Sequence, residues 1–359
     1  MNEDDRHMRR ALARAAEAVF TSPNPRVGAV VVRDGVVVAE GTHRGTGTPH
    51  AEVVALEGTA AAGATLYVNL EPCMHHGTTP PCAPALVEAG IARVVVAIED
   101  PDPRVSGSGI DYLRAHGVEV DVGIRADEAS ALNDAYIHHR LTGRPLVTLK
   151  LALSVDGKMA ASDGSSRWIT GEESRRHVHG RRAASDGVMV GAGTVVTDDP
   201  QLTARDATST RQPVRVVVDA TGQVPTTRRI FDGGEAIVMT TISCQHAIKT
   251  QWKEAGAEVV ELAHNSAGGV DLHAVVENLA ARGWLEVYCE GGAALATSLL
   301  RDDLVDRLDL YYAPILVGGD GIGIGALGVD TIGRAHRWTT MRTTRLGPDT
   351  LVTLARAEG

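Results

Sequence analysis

The stretch from His50 to Cys82 constrains this chain more than any other. It begins with His50-Ala51-Glu52 and ends with two Pro-Cys pairs, at Cys73 and Cys82. One imidazole and two thiolates can hold a tetrahedral zinc ion and leave its fourth position open to water. Glu52, two residues beyond the histidine, is placed to transfer protons rather than to bind the metal. The stretch therefore predicts a zinc site with a proton-transfer group beside it.

Zinc deaminases use this residue set, and their carboxylate carries protons from the attacking water to the ring and to the leaving amine. Their two cysteines are usually two residues apart, whereas eight residues separate Cys73 from Cys82. Helix starts are predicted at His50 and Cys82, and the positive end of a helix dipole favours thiolates. A purely structural zinc would need a fourth protein ligand, which His75 or His76 could supply. Both alternatives stay open at this point.

Composition and charge exclude several classes of protein. The chain has 359 residues, of which 43% are apolar and 22% are charged, as in globular proteins of ordinary composition. A net charge of −10 argues against a protein that coats nucleic acid. No apolar run approaches the roughly 20 residues of a membrane span, and the charged N-terminus predicts no signal peptide. Since Cys73 and Cys82 fit a metal site better than a disulfide, we expect a cytoplasmic enzyme.

The order of predicted helices and strands indicates two domains of the α/β class. In residues 1–143 the order αββαβαβαβ predicts a mixed sheet with helices on its faces. A helix predicted over Ala126–Leu141 ends at Thr142-Gly143-Arg144-Pro145, which places the domain boundary. Residues 144–359 again alternate strands and helices, from a strand over Leu146–Leu151 to one over Leu308–Leu316. A helix predicted over Gly171–Ala184 lies between these strands, and Arg175 and Arg176 are interpreted as its solvated face.

Two glycine-rich segments in the second half are candidate phosphate sites. Glu290-Gly291-Gly292-Ala293 follows a predicted strand and begins a predicted helix, so its backbone N–H groups could approach a phosphate. The same pattern is also that of a simple tight turn. Gly321-Ile322-Gly323-Ile324-Gly325 matches the spacing of a dinucleotide fingerprint, but no predicted helix follows it. It is therefore not a Rossmann motif.

Several motifs of the first half together carry a family resemblance. They are Pro23-Asn24-Pro25-Arg26-Val27-Gly28, His50-Ala51-Glu52, Glu71-Pro72-Cys73 with Thr79-Pro80-Pro81-Cys82, and Glu99-Asp100-Pro101. With its long cysteine spacer, this half resembles the deaminase domain of bacterial bifunctional riboflavin-biosynthesis enzymes. In these enzymes, diaminohydroxyphosphoribosylaminopyrimidine deaminase is fused to 5-amino-6-(5-phosphoribosylamino)uracil reductase. The resemblance covers nearly the whole chain.

For the first half, the resemblance implies a cytidine-deaminase-like fold and specific roles for individual residues. Zinc is expected on His50, Cys73 and Cys82, with Glu52 as the catalytic proton shuttle, and substrate is expected on Asn24, His43 and His75. One position departs from the family, because Thr78 stands where Arg or Lys is usual. A basic residue at this position would suit the substrate phosphate. Arg26, Arg44 or Arg104 is expected to supply the missing positive charge.

The second half resembles the reductase domain of the same family. The motifs are Leu149-Lys150-Leu151, Ser154-Val155-Asp156-Gly157-Lys158, Ser166-Arg167-Trp168-Ile169-Thr170, Gly193-Thr194-Val195, Asp198-Asp199-Pro200-Gln201-Leu202-Thr203, Glu290-Gly291-Gly292 and Gly347-Pro348-Asp349. The implied fold is similar to dihydrofolate reductase, and the implied cofactor is NADPH. Cofactor contacts are expected from Ala152, Trp168, Thr194, Asp198, Gly292, Ala293, Ala294, Leu295, Ala296, Thr297 and Ser298. Substrate contacts are expected from Ser166, Arg182, Leu202, Arg205 and Glu290.

The chemistry of these side chains fits a sugar phosphate. Arg182 and Arg205 can bind a phosphate bidentately, and Lys150, Asp198 and Glu290 are candidate catalytic groups that orient the sugar or supply its proton. Lys150 could equally be a strand residue whose stem packs while its ammonium reaches water.

The hypothesis is a cytoplasmic bifunctional enzyme, with zinc and NADPH as cofactors and a small pyrimidine ribotide as substrate. It deaminates the pyrimidinone and then reduces the ribosyl group to ribityl. We expect a homo-oligomer that binds neither nucleic acid nor membrane. Two alternatives remain: a zinc deaminase of another nucleoside or base with an accessory domain, and a non-catalytic zinc-binding regulatory protein.

Overall fold

The computed structural model describes residues 2–77, 79–205 and 211–357. Thr78, the residue that departs from the family pattern, lies outside them. The chain divides into two compact units between Gly143 and Arg144. Each unit is α/β, which confirms the predicted fold class.

The first unit is a five-stranded mixed sheet flanked by helices. Its elements are α1 (Glu3–Ala16), β1 (Gly28–Arg33), β2 (Val36–Thr42), α2 (Ala51–Leu56), β3 (Thr65–Val68), α3 (Cys82–Glu88), β4 (Arg93–Val96), α4 (Ser108–Ala115), β5 (Glu119–Val122), α5 (Ala126–Leu132) and α6 (Asp134–Thr142). The strand order is β2-β1-β3-β4-β5, with β1 antiparallel to both neighbours and the other pairs parallel.

Local sequence explains how this sheet starts. Asp34 and Gly35 join β1 to β2 with φ angles of 52° and 73°, the left-handed conformation that a tight hairpin needs. Helix α2 packs directly on β2, because a Cβ at Gly41 would lie 1.9 Å from the carbonyl oxygen of Ala51. The start of α2 is thereby held against the sheet, and His50 and Glu52 with it.

The second unit is a nine-stranded sheet in the order β10-β9-β8-β7-β11-β6-β12-β14-β13. Pairs from β10 to β12 are parallel, whereas β14 is antiparallel to both β12 and β13. The elements are β6 (Leu146–Ser154), α7 (Glu172–Ala184), β7 (Gly187–Gly191), α8 (Ala192–Asp198), β8 (Val214–Val218), β9 (Ala236–Thr241), α9 (His246–Glu254), β10 (Glu258–Leu262), α10 (Leu272–Ala281), β11 (Glu286–Cys289), α11 (Ala293–Arg301), β12 (Arg307–Ala313), β13 (Trp338–Leu346) and β14 (Asp349–Arg356).

Three features differ from the sequence expectation. The helix predicted over Ala126–Leu141 is two helices, α5 and α6, interrupted at Asn133, whose side chain is buried. The strand predicted over Leu308–Leu316 ends at Ala313. Helix α8 and the hairpin β13–β14 were not predicted, because α8 is only seven residues long and β13 is exposed on both faces and shows no alternation. No helix within the described residues has both the length and the apolar character that crossing a bilayer requires.

Candidate functional site

Three side chains of the kind that binds zinc meet in the first unit. The ligand atoms of His50, Cys73 and Cys82 all lie within 4.8 Å of one another. His50 is the N-cap residue of α2, Cys82 is the first residue of α3, and Cys73 lies in the loop after β3. Nδ1 of His50 and Sγ of Cys82 each lie 3.5 Å from Sγ of Cys73. Two helix starts and one strand end therefore gather the sequence motif at one point.

These distances fit a tetrahedral zinc. Bonds of about 2.3 Å to sulfur and about 2.0 Å to nitrogen separate two sulfurs by about 3.8 Å, and a sulfur from a nitrogen by about 3.5 Å. The backbone N–H of Cys73 also donates a hydrogen bond to Sγ of Cys82 at 3.1 Å. This donor would stabilise a thiolate, so the residues present suit the metal.

The two cysteines differ in how readily each thiol loses its proton. The hydrogen bond from Cys82 lowers the pKa of Cys73 to about 4. Burial raises the pKa of Cys82 well above its ordinary value. A metal that takes both sulfurs as thiolates displaces the protons that these thiols carry.

Glu52 lies beside the cluster without belonging to it. Its side chain is buried in the first turn of α2, and Oε1 accepts a hydrogen bond from Sγ of Cys82 at 3.1 Å. Among the described residues, its other oxygen, Oε2, is buried with no hydrogen-bond partner. Burial raises the pKa of this carboxyl. A buried carboxyl with an unused oxygen beside a metal cluster is suited to proton transfer.

The structural-zinc alternative required a fourth ligand from His75 or His76. Both side chains are exposed, and neither joins the metal-ligand cluster found in the described part of the chain. Three protein ligands are typical of a catalytic zinc site, which keeps its fourth position for water or substrate.

Two of the predicted substrate residues lie together. Nδ2 of Asn24 is 3.0 Å from Nε2 of His43, whose ring centroid lies 5.5 Å from that of His50 in an edge arrangement. Nδ1 of His43 is 3.0 Å from the carbonyl oxygen of Pro49, and burial lowers the pKa of the His43 imidazole. Asn24 and His43 thus adjoin the metal cluster, while His75 stands on the exposed loop between the cysteines.

Sequence reasoning missed the role of Glu71, which holds the segment before Cys73 in place. The buried carboxylate of Glu71 accepts hydrogen bonds from the backbone N–H groups of Asp100 and Gly107 at 3.1 and 2.9 Å, and of Gly109 and Ile110 at 2.9 and 3.3 Å. A Cβ at Gly109 would lie 1.7 Å from the carbonyl oxygen of Pro72. The start of α4 is therefore packed on the backbone next to Cys73. A carboxylate two residues before a ligand cysteine was the available signal.

A hydroxyl near His50 was also missed. Oγ1 of Thr79 lies 2.9 Å from Nε2 of His50, the ring nitrogen that does not face Cys73. Such a contact fixes the tautomer and orientation of a ligand imidazole.

The three arginines expected to replace the missing basic residue differ in the contacts that hold their side chains. Arg26 donates to the carbonyl oxygen of Val19 at 2.7 Å, and Arg104 forms an ion pair with Asp102. Arg44 is exposed and lies 3.4 Å from Oε2 of Glu17. Arg44 therefore has the loosest of these contacts.

The second unit contains an open cleft of about 1140 Å³ at the carboxyl ends of its central strands. This is where parallel α/β sheets bind ligands. Most of the residues expected to touch cofactor or substrate line it, namely Lys150, Ala152, Ser166, Trp168, Arg182, Thr194, Asp198, Leu202, Arg205, Glu290, Gly292, Ala293, Ala294 and Leu295. Ala296, Thr297 and Ser298 do not, since they lie further along α11.

A buried group of charges occupies the cleft. Glu290 and Arg182 form a two-point ion pair, and Nη1 of Arg182 also donates to the carbonyl oxygen of Thr203 at 3.0 Å. Burial lowers the pKa of Lys150, while Glu290 and Asp198 oppose that shift. Nζ of Lys150 lies 5.9 Å from the ring centroid of Tyr311. Lys150 is therefore a partly exposed residue of the cleft.

The Gly291-Gly292 turn begins α11 at the edge of the same cleft. Gly292 is the N-cap residue of α11, and its N–H donates to Oγ1 of Thr194 at 2.9 Å. A Cβ at Gly291 would lie 2.8 Å from the side chain of Leu295. The turn is therefore both tight and open to a ligand, and the nearby N–H groups suit a phosphate.

Arg176 lies on the solvated face of α7, as predicted, with its side chain 58% exposed and paired with Glu172, whereas Arg175 is only partly exposed. Both line the cleft, and Cζ of Arg175 lies 4.7 Å from the ring centroid of Trp168. Helical spacing within α7 could not show this contact, because Trp168 lies in the loop that leads into the helix. Gly321 to Gly325 form no helix, as expected, although Ile322 lines the cleft.

Comparisons with known proteins match both units. The family of the cytidine and deoxycytidylate deaminase zinc-binding region matches residues 1–98, and the RibD C-terminal domain family matches residues 145–352. The riboflavin biosynthesis protein RibD of Aquifex aeolicus is 40% identical over 98% of each chain. That of Escherichia coli is 38% identical over 99% of this chain and 100% of its own.

Solved structures agree with these matches. RibD of Acinetobacter baumannii superposes with a TM-score of 0.89 at 35% identity, covering 99% of each chain. A diaminohydroxyphosphoribosylaminopyrimidine deaminase/5-amino-6-(5-phosphoribosylamino)uracil reductase from Thermotoga maritima superposes with a TM-score of 0.86 at 34% identity, again over 99% of each chain. The resemblance predicted from the motifs is confirmed, and zinc and NADPH are the cofactors of these two domain types. The chain therefore belongs to the RibD family of bifunctional deaminase and reductase enzymes of riboflavin biosynthesis.

Proposed function

We propose that each unit carries one of two consecutive reactions. Residues 1–143 deaminate 2,5-diamino-6-ribosylamino-4(3H)-pyrimidinone 5′-phosphate. Residues 144–359 use NADPH to reduce the ribosyl group of 5-amino-6-(5-phosphoribosylamino)uracil to ribityl. The activities named for the Thermotoga maritima relative support these substrates. The observation that carries the first assignment is the unpartnered, buried Oε2 of Glu52 beside a cluster of three ligands.

His50, Cys73 and Cys82 would hold the zinc. Zinc bound by one imidazole and two thiolates lowers the pKa of its water to about 7 and so supplies a nucleophile at neutral pH. Glu52 accepts a proton of the attacking water at Oε2, gives it to a ring nitrogen and assists the departure of ammonia. Oε1 lies 3.1 Å from Sγ of Cys82, so Glu52 stands directly beside the ligand cluster, and Oε2 is the oxygen left to take the proton.

Asn24, His43 and His75 bind the pyrimidine. The carboxamide of Asn24 and the imidazole of His43 already contact each other next to the cluster, so they offer a fixed edge for ring hydrogen bonds. Of the three arginines, Arg44 is favoured for the phosphate because breaking its loose contact with Glu17 costs little. Single alanine replacements of Arg26, Arg44 and Arg104 test this, and an unchanged KM in all three would exclude the whole group.

In the second unit, the cleft residues hold NADPH and substrate. NADPH supplies the hydride that reaches C1′ of the opened ribose or its imine. The N–H groups at the start of α11 face the cofactor phosphates, with Gly292 set by Thr194. Ala152, Trp168, Asp198 and the α11 residues through Ser298 remain proposed cofactor contacts.

We assign the proton donor to Lys150. Arg182 forms an ion pair with Glu290. The positive charges of Arg182 and Lys150 lower the pKa of the Glu290 carboxyl, so Glu290 is ionised and has no proton to give. The pKa of Lys150 is lowered instead, which makes its proton more available. Glu290 and Asp198 then orient the sugar, while Ser166, Leu202, Arg182 and Arg205 complete the substrate site.

The proposal also includes a homo-oligomeric state and a cytoplasmic location. The edge strand β13 is exposed on both faces and pairs only with β14 within the described residues, which supports a homo-oligomer that extends the sheet. All four cysteines are free thiols, in keeping with a cytoplasmic enzyme. Sedimentation of the purified protein tests the first point.

The direct experiment supplies the purified, zinc-loaded protein with the diaminopyrimidinone ribotide and NADPH. Ammonia release followed by NADPH oxidation is expected. Ammonia release with no dependence on zinc would refute the assigned deamination. NADPH oxidation that does not require the deaminated product would refute the order of the reactions. Cytidine and guanine, tested as competitors, separate this substrate from other zinc-deaminase substrates.

A further inference from the structure

Helices α5 and α6 lie beyond the part of the first unit that matches the deaminase family, which ends at residue 98. The two helices meet at Asn133, which is 3% exposed. Its carboxamide faces the backbone N–H and C=O groups of a single residue, Arg26. Oδ1 accepts from the backbone N–H of Arg26 at 2.8 Å, and Nδ2 donates to the carbonyl oxygen of Arg26 at 3.0 Å. One side chain thus replaces the two hydrogen bonds that a neighbouring strand would give.

A second asparagine holds the same backbone from the sheet. Asn69, fully buried just after β3, donates through Nδ2 to the carbonyl oxygen of Arg26 at 2.9 Å and accepts from the N–H of Gly28 at 2.8 Å. The segment from Arg26 to Gly28 is therefore clamped between two carboxamides. Asn24, which contacts His43, is only two residues away.

Helix α6 also reaches the other side of the site. The hydroxyl of Tyr136 donates to the carboxylate of Asp100 at 3.0 and 3.1 Å, and both residues are buried. The N–H of Asp100 in turn donates to Glu71, two residues before Cys73. One helical segment therefore contacts the loop that carries Asn24 and, through Asp100, the loop that carries a metal ligand.

From this arrangement we infer that Asn133 is a positioning residue for deamination. It sets the backbone of Arg26, and through it Asn24, at the distance from His43 that the substrate ring needs. The inference rests on the proposed deamination and adds a residue that no metal or substrate contact would reveal. A side chain that fixes the orientation of a binding group changes KM or kcat even when the fold is intact.

The test uses the full-length, zinc-loaded protein with Asn133→Asp and Asn133→Ala. Aspartate keeps the acceptor for the Arg26 N–H but has no donor for its carbonyl group, whereas alanine lacks both. We expect KM for the ribotide to rise about tenfold with Asn133→Ala and less with Asn133→Asp. The zinc content per chain and the NADPH-dependent reduction should stay at the wild-type values.

Tyr67→Phe is the matched control. It removes a partly buried hydrogen bond of the same unit, 2.7 Å to Oδ1 of Asp4, without touching the Arg26 segment. If Asn133→Ala and Tyr67→Phe both lower the melting temperature and both leave KM unchanged, Asn133 is only structural and the inference is wrong. Loss of zinc in both Asn133 variants would also overturn it.

Binding separates this inference from the proposed function. The Kd of the ribotide is measured by calorimetry on the same variants with Glu52→Gln added, so that turnover is suppressed and binding alone is recorded. Wild-type protein that binds the ribotide but releases no ammonia would refute the deamination, and a weaker Kd in the Asn133 variants would still support the positioning role. An unchanged Kd would refute the role.

Discussion

Arg182 and Glu290 face each other across the cleft of the second unit, joined at both ends of the carboxylate, with side chains only 12% and 8% exposed. A buried two-point pair of this kind depends on the planar fork of arginine. It holds Glu290 ionised and oriented beside Lys150.

Replacing Arg182 with lysine should therefore impair reduction. Lysine cannot make both contacts, and Glu290 is left with a poorly satisfied charge in a buried place. We expect kcat/KM of the NADPH-dependent step to fall about 100-fold, while ammonia release by the first unit stays unchanged. Steady-state assays of both reactions on one preparation measure this. Arg282→Lys, which alters a surface pair with Glu258, is the control and should retain both activities.

The pH dependence of reduction should reflect the loss of the proton from Lys150. Burial lowers the pKa of this ammonium below its ordinary value. If protonated Lys150 gives the proton, activity is present at low pH and is lost as the pH rises through that lowered pKa. A kcat profile in the alkaline range checks the sign. Lys150→Met should remove the activity, whereas Lys253→Met, on the exposed surface, should leave the profile unchanged. Activity that rises with pH across the same range would contradict the role.

Glu52→Gln should separate zinc binding from catalysis. Glutamine has nearly the same shape but cannot carry the proton, so we expect ammonia release to fall by about 10³-fold or more. Bound zinc should stay at one ion per chain, because Glu52 is not in the ligand cluster. Metal analysis beside the ammonia assay distinguishes the two effects. Glu57→Gln, an exposed residue at the end of α2, should behave as wild type.

Gly109→Ala should damage the zinc site from outside it. The added Cβ would lie 1.7 Å from the carbonyl oxygen of Pro72, so the start of α4 or the loop before Cys73 must move. We expect a loss of about 3 kcal/mol in unfolding free energy and weaker zinc retention against a chelator. In contrast, Gly180→Ala in α7 meets no heavy atom within 4 Å and should raise stability slightly. Equal zinc retention in both variants would contradict the prediction.

Sequence patterns predicted the parts of the structure that local chemistry decides. The strand and helix order, the Asp34-Gly35 hairpin, and the meeting of His50, Cys73 and Cys82 follow from hydrophobic spacing, turn residues and ligand type. The family resemblance predicted the cleft residues that spacing alone could not.

Other features depend on contacts between residues far apart in sequence, and no local pattern contains them. Asn133 interrupts a helix because its carboxamide binds the backbone of Arg26, 107 positions earlier. Strand β13 was missed because it is exposed on both faces, so its side chains carry no alternating pattern.

The division between Gly143 and Arg144 has a genetic consequence. Because each unit is a contiguous piece of chain with its own core, a lesion in one activity leaves the other half of the same polypeptide able to work. A chain with Glu52→Gln and a chain with Lys150→Met should therefore complement each other when mixed. The yield of reduced product from that mixture, compared with wild type at equal active sites, measures how freely the deaminated intermediate leaves one protein and enters another.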